Sequence, residues 1–343
     1  MKYEIDMLGV GAADALLIRF FDDNDNAYVI LVDSGNYSNG KTVADFVKNR
    51  YKTYTIDLAI CTHCDEDHFG GFIYLLENMK NNPNTSVDIK KILINDPGLH
   101  ITQDDVKYYQ NIDNVRKEAR SVYNANGKNL LELIWELSQK RGLSYSEAFS
   151  DKHNSEFNGL IDILGPSIDF YKNQALLFRN DLKPYDYALA DDNEDAYEIP
   201  ETKKIYSKKL DEVGNDPSHH NKSSIIFLFK PDDEHYFLFT GDADAESFEN
   251  FKYQCDIEKI KNIYWMKLPH HGSAHNMSND MINYIHPKIA YVSTEKYGHY
   301  LDKIVVGALK KVGTSIYSTN NTVNVWYHNN TPQRNDYSTA KKL

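Results

Sequence analysis

The chain has 343 residues, is 41% apolar and carries a formal net charge of −12. It is therefore globular, long enough for one large or two ordinary domains, and without the overall basic balance that marks a non-specific grip on nucleic acid. Room remains for a local basic groove. Its three cysteines, Cys61, Cys64 and Cys255, form no even disulfide set, the first residues lack a signal-peptide pattern, and no apolar run approaches the roughly 18 to 20 residues that span a bilayer. A reducing, cytoplasmic setting with no membrane contact is the expectation.

In chain order, Tyr3 to Phe21 reads as two strands around the small-residue corner Gly9-Val10-Gly11-Ala12-Ala13-Asp14. The acidic run Asp22 to Asn26 makes a hairpin tip, and Tyr28 to Val32 returns as a buried strand ending in Asp33-Ser34-Gly35. Lys41 to Arg50 has the apolar spacing of one helix face, and Ile56 to Cys61 is a buried strand. Gly71 to Lys80 predicts a helix, stopped by Pro83, and Lys90 to Asn95 another strand. Residues 99–149 turn charged, with Leu130, Leu131, Leu133, Ile134 and Leu137 at helical spacing. A helical insertion follows, either a lid or substrate arm or a solvated excursion.

Leu160 to Leu164 reads as a strand, and residues 180–216 as a long polar loop. Ser223 to Phe229 and Tyr236 to Thr240 form a hairpin ending in Gly241-Asp242, and Ala245 to Tyr253 a helix. Strands Asn262 to Leu268 and Lys288 to Thr294 lead into Pro269-His270-His271-Gly272-Ser273 and Tyr297-Gly298-His299. Leu301 to Val312 is a helix, after which Ser315 to Ser318 and Val323 to Tyr327 are expected to close the chain as a hairpin through Asn320-Asn321.

The chemistry concentrates in Thr62-His63-Cys64-Asp65-Glu66-Asp67-His68-Phe69-Gly70-Gly71. Two imidazoles and two carboxylates within six residues, delivered by a buried strand, suit a divalent ion that keeps a position for water. Gly70 and Gly71 allow tight backbone approach. A two-ion centre needs more than these donors, and the shared donor should be a carboxylate, for which Asp242 is placed at a strand end. His270 and His271 leave their strand in different directions, so one can ligate while the other faces the substrate. His299 is a further ligand or proton donor. His219, His220 and Asn221 compete for the remaining position. Cys61 and Cys64 form a CxxC pair, but no second pair completes a zinc knuckle.

These motifs resemble the metallo-β-lactamase fold superfamily, whose loop reads His-x-His-x-Asp-His with a downstream Gly-Asp and late histidines. Asp65 stands where a second His is usual. That variant, with His-His-Gly-Ser and Tyr-Gly-His, is similar to the soluble hydrolase domain of ComEC-type DNA-uptake proteins; the usual Gly-Gln-Gly-Asp reads Gly-Ala-Ala-Asp here. The likeness covers about residues 1–95 and 155–330. It implies a single α/β domain, a four-layer αββα sandwich with a helical insertion. It also implies two divalent ions, Zn or Mn, on His63, Asp65, Asp67, His68, Asp242 and one of His270 or His271, with Asn221 where this subgroup often carries Asn and His220 still open from the reading of the residues. The harder ligand Asp65 makes Mn²⁺ a competitor of Zn²⁺.

The function expected is hydrolysis of a phosphodiester in a nucleic acid or nucleotide. Asp67 would orient the attacking water, and His270 or His299 would protonate the leaving oxygen. Hydrolysis of a small ester, lactone or phosphocholine ester is the alternative that the acidic balance favours. A third reading is a catalytically silent interaction protein stabilised by metal, with its 25 tyrosines serving an interface.

Overall fold

A computed structural model describes residues 1–105, 111–152, 155–178, 209–252, 257–294, 301–319, 323–335, 340 and 342–343. Most of the 180–216 loop, together with His299, Cys255 and Asn320-Asn321, lies outside the described residues. Two seven-stranded sheets form the centre among them. The first is built from β1 (Lys2–Met7), β2 (Leu16–Phe21), β3 (Ala27–Val32), β4 (Leu58–Ile60), β5 (Lys91–Leu93), β6 (Ser144–Ser146) and β14 (Val325–Asn329), in the order β6-β5-β4-β3-β2-β1-β14. The second holds β7 (Ser155–Glu156), β8 (Ile161–Gly165), β9 (Ile226–Phe229), β10 (Phe237–Phe239), β11 (Trp265–Lys267), β12 (Ile289–Val292) and β13 (Ser315–Ser318), in sequence order. Each sheet is antiparallel in one half and parallel in the other: β3 to β6 run parallel in the first, β10 to β13 in the second.

The period-2 pattern of the strands makes the layers. Tyr3, Ile5, Met7, Leu16, Ile18, Ile30 and Val32 meet Phe227, Phe229, Phe237 and Trp265 between the sheets. The alternate residues Leu17, Val29 and Leu31 face outward, onto helices α1 (Asn39–Asn49), α2 (Glu66–Asn81) and α4 (Leu130–Arg141). On the far side Ile226, Leu228, Met266 and Ala290 meet helices α5 (Ala245–Lys252), α6 (Asn279–Ile285) and α7 (Lys303–Lys311). Helix, sheet, sheet, helix is the resulting order of layers.

The structure corrects three local expectations. Helix α2 begins at Glu66 rather than Gly71, so Asp67 and His68 ride its first turn while Asp65 precedes it in extended backbone. The acidic residues at its start suit a helix N-terminus, and the glycines lie inside the helix because it is pressed onto the Ser34-Gly35 turn. A Cβ on Gly71 would sit 2.1 Å from the Ser34 carbonyl oxygen.

Residues 315–318 and 325–329 do not form a hairpin: β13 joins the second sheet beside β12, and β14 crosses to pair antiparallel with β1. Alternation alone carries no information about which of two sheets a terminal strand joins. The 99–149 stretch contains α3 (Ile112–Ala119) and α4, and also supplies the sheet-edge strand β6. Leu130, Leu133, Ile134 and Leu137 are buried against the outer face of the first sheet.

Because helix α2 carries part of the motif, its seat on Ser34 should be a stability hot spot. Gly71→Ala should lower unfolding free energy by about 2 to 3 kcal/mol through overpacking, read as a reduced urea midpoint at unchanged m.

Candidate metal centre

Every motif singled out in the sequence and described in the structure lies along one edge of the sandwich, at the C-terminal ends of strands. Asp33 follows β3, Thr62 and His63 follow β4, and Asp242 follows β10. His270 and His271 follow β11, and Ser293 follows β12. His270 and His271 both hold left-handed backbone, φ +43° and +52°, which splays two consecutive rings to centroids 6.0 Å apart. Such conformations persist only where the surroundings enforce them.

Three imidazoles are turned by outer partners so that Nε2 faces inward. The His68 Nδ1 proton goes to Asp33 Oδ2 at 2.8 Å. Thr62 Oγ1 donates to Asp33 at 2.7 Å and so accepts from His63 Nδ1 at 3.0 Å. The Ser293 hydroxyl donates to Asp14 and accepts from His271 Nδ1 at 2.9 Å. Each partner thereby takes up Nδ1 and leaves Nε2 as the atom on which a metal could replace a proton, the arrangement common around protein-bound metals.

Those Nε2 atoms meet carboxylates. His68 Nε2 lies 3.2 Å from Asp242 Oδ2 and 3.8 Å from Asp67 Oδ2, and His271 Nε2 lies 3.4 Å from Asp67 Oδ2. His63 Nε2 is 3.6 Å from Asp65 Oδ2, whose other oxygen meets His220 Nδ1 at 2.7 Å. His63, His68 and Asp242 form one cluster of candidate donors, and Asp67, His68 and His271 a second. Nε2 of His63, His68 and His220 and Oδ1 of Asn221 are buried without a hydrogen-bond partner among the described residues. Orphaned buried polar atoms are costly, and four of them at one strand edge fit metal ligation.

Electrostatics points the same way. Asp14, Asp33, Asp65, Asp67 and Asp242 surround the histidines, and among the described residues the lysine that meets them is Lys267, 2% exposed, which contacts Asp14, lies 3.0 Å from Asp242 Oδ1 and 2.7 Å from the Gly241 carbonyl. Burial opposes a charge on His68, but Asp242, Asp33 and Asp67 outweigh it and hold its pKa well above the imidazole range. Burial likewise opposes ionisation of Asp242, yet Lys267 and His68 keep its pKa well below the carboxylate range. The pocket wants cations.

The competition among His219, His220 and Asn221 resolves into three directions, all from a short helical turn at residues 219–222 rather than from the strand itself. His219 turns to Gln174 at 2.7 Å and His220 to Asp65. Asn221 donates to Asp216 at 2.7 Å. His270 lies apart from the Nε2 cluster, its Nδ1 2.9 Å from Asn276 Oδ1 and 3.1 Å from Asp216 Oδ2. Burial would lower its pKa, but Asp216 and Asp242 push it up to about 9. Asp14, Asp33, Asp216, Lys267 and Ser293 were not singled out as site residues; the signal for Lys267 was a charge inside an otherwise apolar strand. His299 lies outside the described residues.

Asp33 serves both His68 and, through Thr62, His63. Asp33→Asn should therefore weaken Zn²⁺ or Mn²⁺ binding by about 10- to 100-fold in calorimetric titration of the metal-free protein.

The metallo-beta-lactamase superfamily model matches residues 8–121, and no curated protein matches the chain. Among solved structures, the metallo-beta-lactamase fold protein YhfI from Bacillus subtilis is 12% identical over 96% of this chain and 100% of its own, with a TM-score of 0.47. A long form RNase Z from yeast is 12% identical over 94% of this chain and 42% of its own, at TM-score 0.43. Unliganded yeast PDE1 is 11% identical over 92% and 97%, at TM-score 0.41. With its αββα layers and the matching N-terminal third, the chain has the metallo-β-lactamase fold.

Proposed function

We propose that the protein is a metal-dependent hydrolase acting on phosphodiesters. The observation that carries this is the pair of buried Nε2 atoms, of His63 and His68, that have no hydrogen-bond partner among the described residues and stand 3.2 to 3.8 Å from Asp65, Asp67 and Asp242. Five acidic groups against one ammonium leave a formal deficit of four positive charges, which two divalent ions would fill. His63, Asp65 and His220 would hold one ion, with Asn221 beside them, and Asp67, His68 and His271 the other; Asp242 Oδ2 would be shared. Bound there, such ions supply an activated water and offset charge on the phosphoryl oxygens.

The chain's own residues do the rest. Lys267 and the His270 backbone N–H, 3.0 and 3.1 Å from Asp242 Oδ1, engage that oxygen and leave Oδ2, 3.2 Å from His68 Nε2, as the atom that would face a metal. Asp67 is about one-third exposed and can orient the incoming water. His270, with Nδ1 buttressed by Asp216 and Asn276, stays protonated at neutral pH and can hand a proton from Nε2 to the leaving oxygen. Phosphodiester chemistry is also favoured by the hard donors Asp65 and Asp67 and by the His-x-Asp-x-Asp-His and His-His-Gly-Ser motifs.

Protein stripped by chelator and reloaded with Mn²⁺ or Zn²⁺ should cleave single-stranded DNA, RNA or a nucleotide diester. His68→Ala and Asp242→Ala should fall to background, and activity that survives both sinks the reading. His270→Gln should lose about 10²- to 10⁴-fold in kcat, with the larger loss on poor alkoxide leaving groups and little loss on a nitrophenolate.

The net charge of −12 favours a second reading, a small ester or lactone as substrate on the same centre. Turnover of a polymeric substrate should weaken steeply with added salt through counterion release, whereas a small neutral substrate should barely respond.

A further inference from the structure

Cys64 stands between two residues of the centre, and its thiol is turned toward a third. Its sulfur, an oxygen of Asp65 and a nitrogen of His220 lie within 4.8 Å of one another. Asp65 is flanked on both sides by imidazoles: His220, whose Nδ1 lies 2.7 Å from Oδ1, and His63, whose side chain is wholly buried and whose Nε2, 3.6 Å from Oδ2, has no hydrogen-bond partner among the described residues. Phe178 closes over His220 edge to face, ring centroids 4.7 Å apart, so this corner is partly dry. Cys61 is different, since its sulfur donates to the His63 carbonyl at 3.4 Å.

We propose that Cys64, as a thiolate, is a ligand together with Asp65 and His220, and that this half of the centre takes a thiophilic divalent ion such as Zn²⁺ in preference to Mn²⁺. The proposal rests on the metallohydrolase reading and deepens it by making the two halves chemically unequal. Asp67, His68 and His271 offer only nitrogen and oxygen, a set that accepts Mn²⁺ or Zn²⁺, whereas a sulfur donor disfavours Mn²⁺ strongly. Binding forms a sulfur–metal bond and releases the thiol proton to solvent. No electron changes hands.

The test is a Co²⁺ titration of the metal-free protein followed by absorption. Visible ligand-field bands report occupancy of the centre, and a near-ultraviolet sulfur-to-cobalt charge-transfer band reports thiolate ligation. The wild type should show both. Cys61→Ser and Cys255→Ser should keep the charge-transfer band, while Cys64→Ser and Cys64→Ala should lose it yet retain ligand-field absorption from the other half, which shows that they are folded. Zn²⁺ should displace one equivalent of Mn²⁺ from the wild type at least about tenfold more readily than from Cys64→Ser. Ligand-field bands without charge transfer in the wild type, or charge transfer surviving both Cys64 variants, overturns the thiolate assignment and leaves the metal centre standing. No cobalt absorption at all overturns both.

Discussion

The site depends on one buried ammonium. Lys267 ends β11 inside the protein and spends its protons on Asp14, Asp242 Oδ1 and the Gly241 carbonyl. Asp14 belongs to the loop between β1 and β2 of the first sheet, whereas Lys267 and Asp242 belong to the second. This charge pair therefore clasps the two sheets together at the edge where the histidines gather. Buried ion pairs contribute little net stability, because desolvation offsets their attraction. What they fix is position, and removing one partner strands a charge in the interior.

The clasp extends to the rings. Asp14 accepts from Ser293, Ser293 accepts from His271, and the same Asp14 carboxylate lies 3.9 Å from His68 Nδ1. Asp33 performs the corresponding duty for His68 and, through Thr62, for His63. A candidate centre whose imidazoles and carboxylates come from both sheets thus has orienting groups that also come from both. The two halves differ in rigidity: the buried Asp14, Asp33 and Lys267 set holds His68 and His271, whereas Asp65 and His220 hold chiefly each other.

Much of this was legible in the residues because it is written at short range. The period-2 strands, the dense His63 to His68 motif, Gly-Asp at 241–242 and the His270-His271 pair all mark strand ends, and they converge on one edge because parallel strands share a C-terminal side. Less was legible where partner choice is tertiary. β14 leaves β13 for the other sheet although both strands alternate equally well, and α2 starts five residues early, at Glu66, with acidic residues rather than apolar ones in its first turn. Lys267 reads as an oddity in an apolar strand until Asp14, more than 250 positions away, is placed beside it. His219, His220 and Asn221 are three adjacent candidates in the sequence, and the short helical turn that points each in its own direction is not written in their spacing.

The acidic character of the chain looks at odds with a polyanionic substrate, but distance decides. At physiological ionic strength exposed charges are screened beyond about 8 Å, so acids on remote surface do little to a phosphate at the strand edge. The field there is set by Asp14, Asp33, Asp65, Asp67 and Asp242 against Lys267. Two divalent cations, as proposed, would bring that set to formal neutrality, or to a single negative charge with Cys64 bound as a thiolate, and a protonated His270 over Asp216 adds no net charge. A diester meeting such a floor is drawn by local dipoles and cations rather than by a basic face, so affinity would rest on a few contacts at the cleaved group. That matches a short substrate, or a short stretch of a long one, better than it matches extended tracking along a strand.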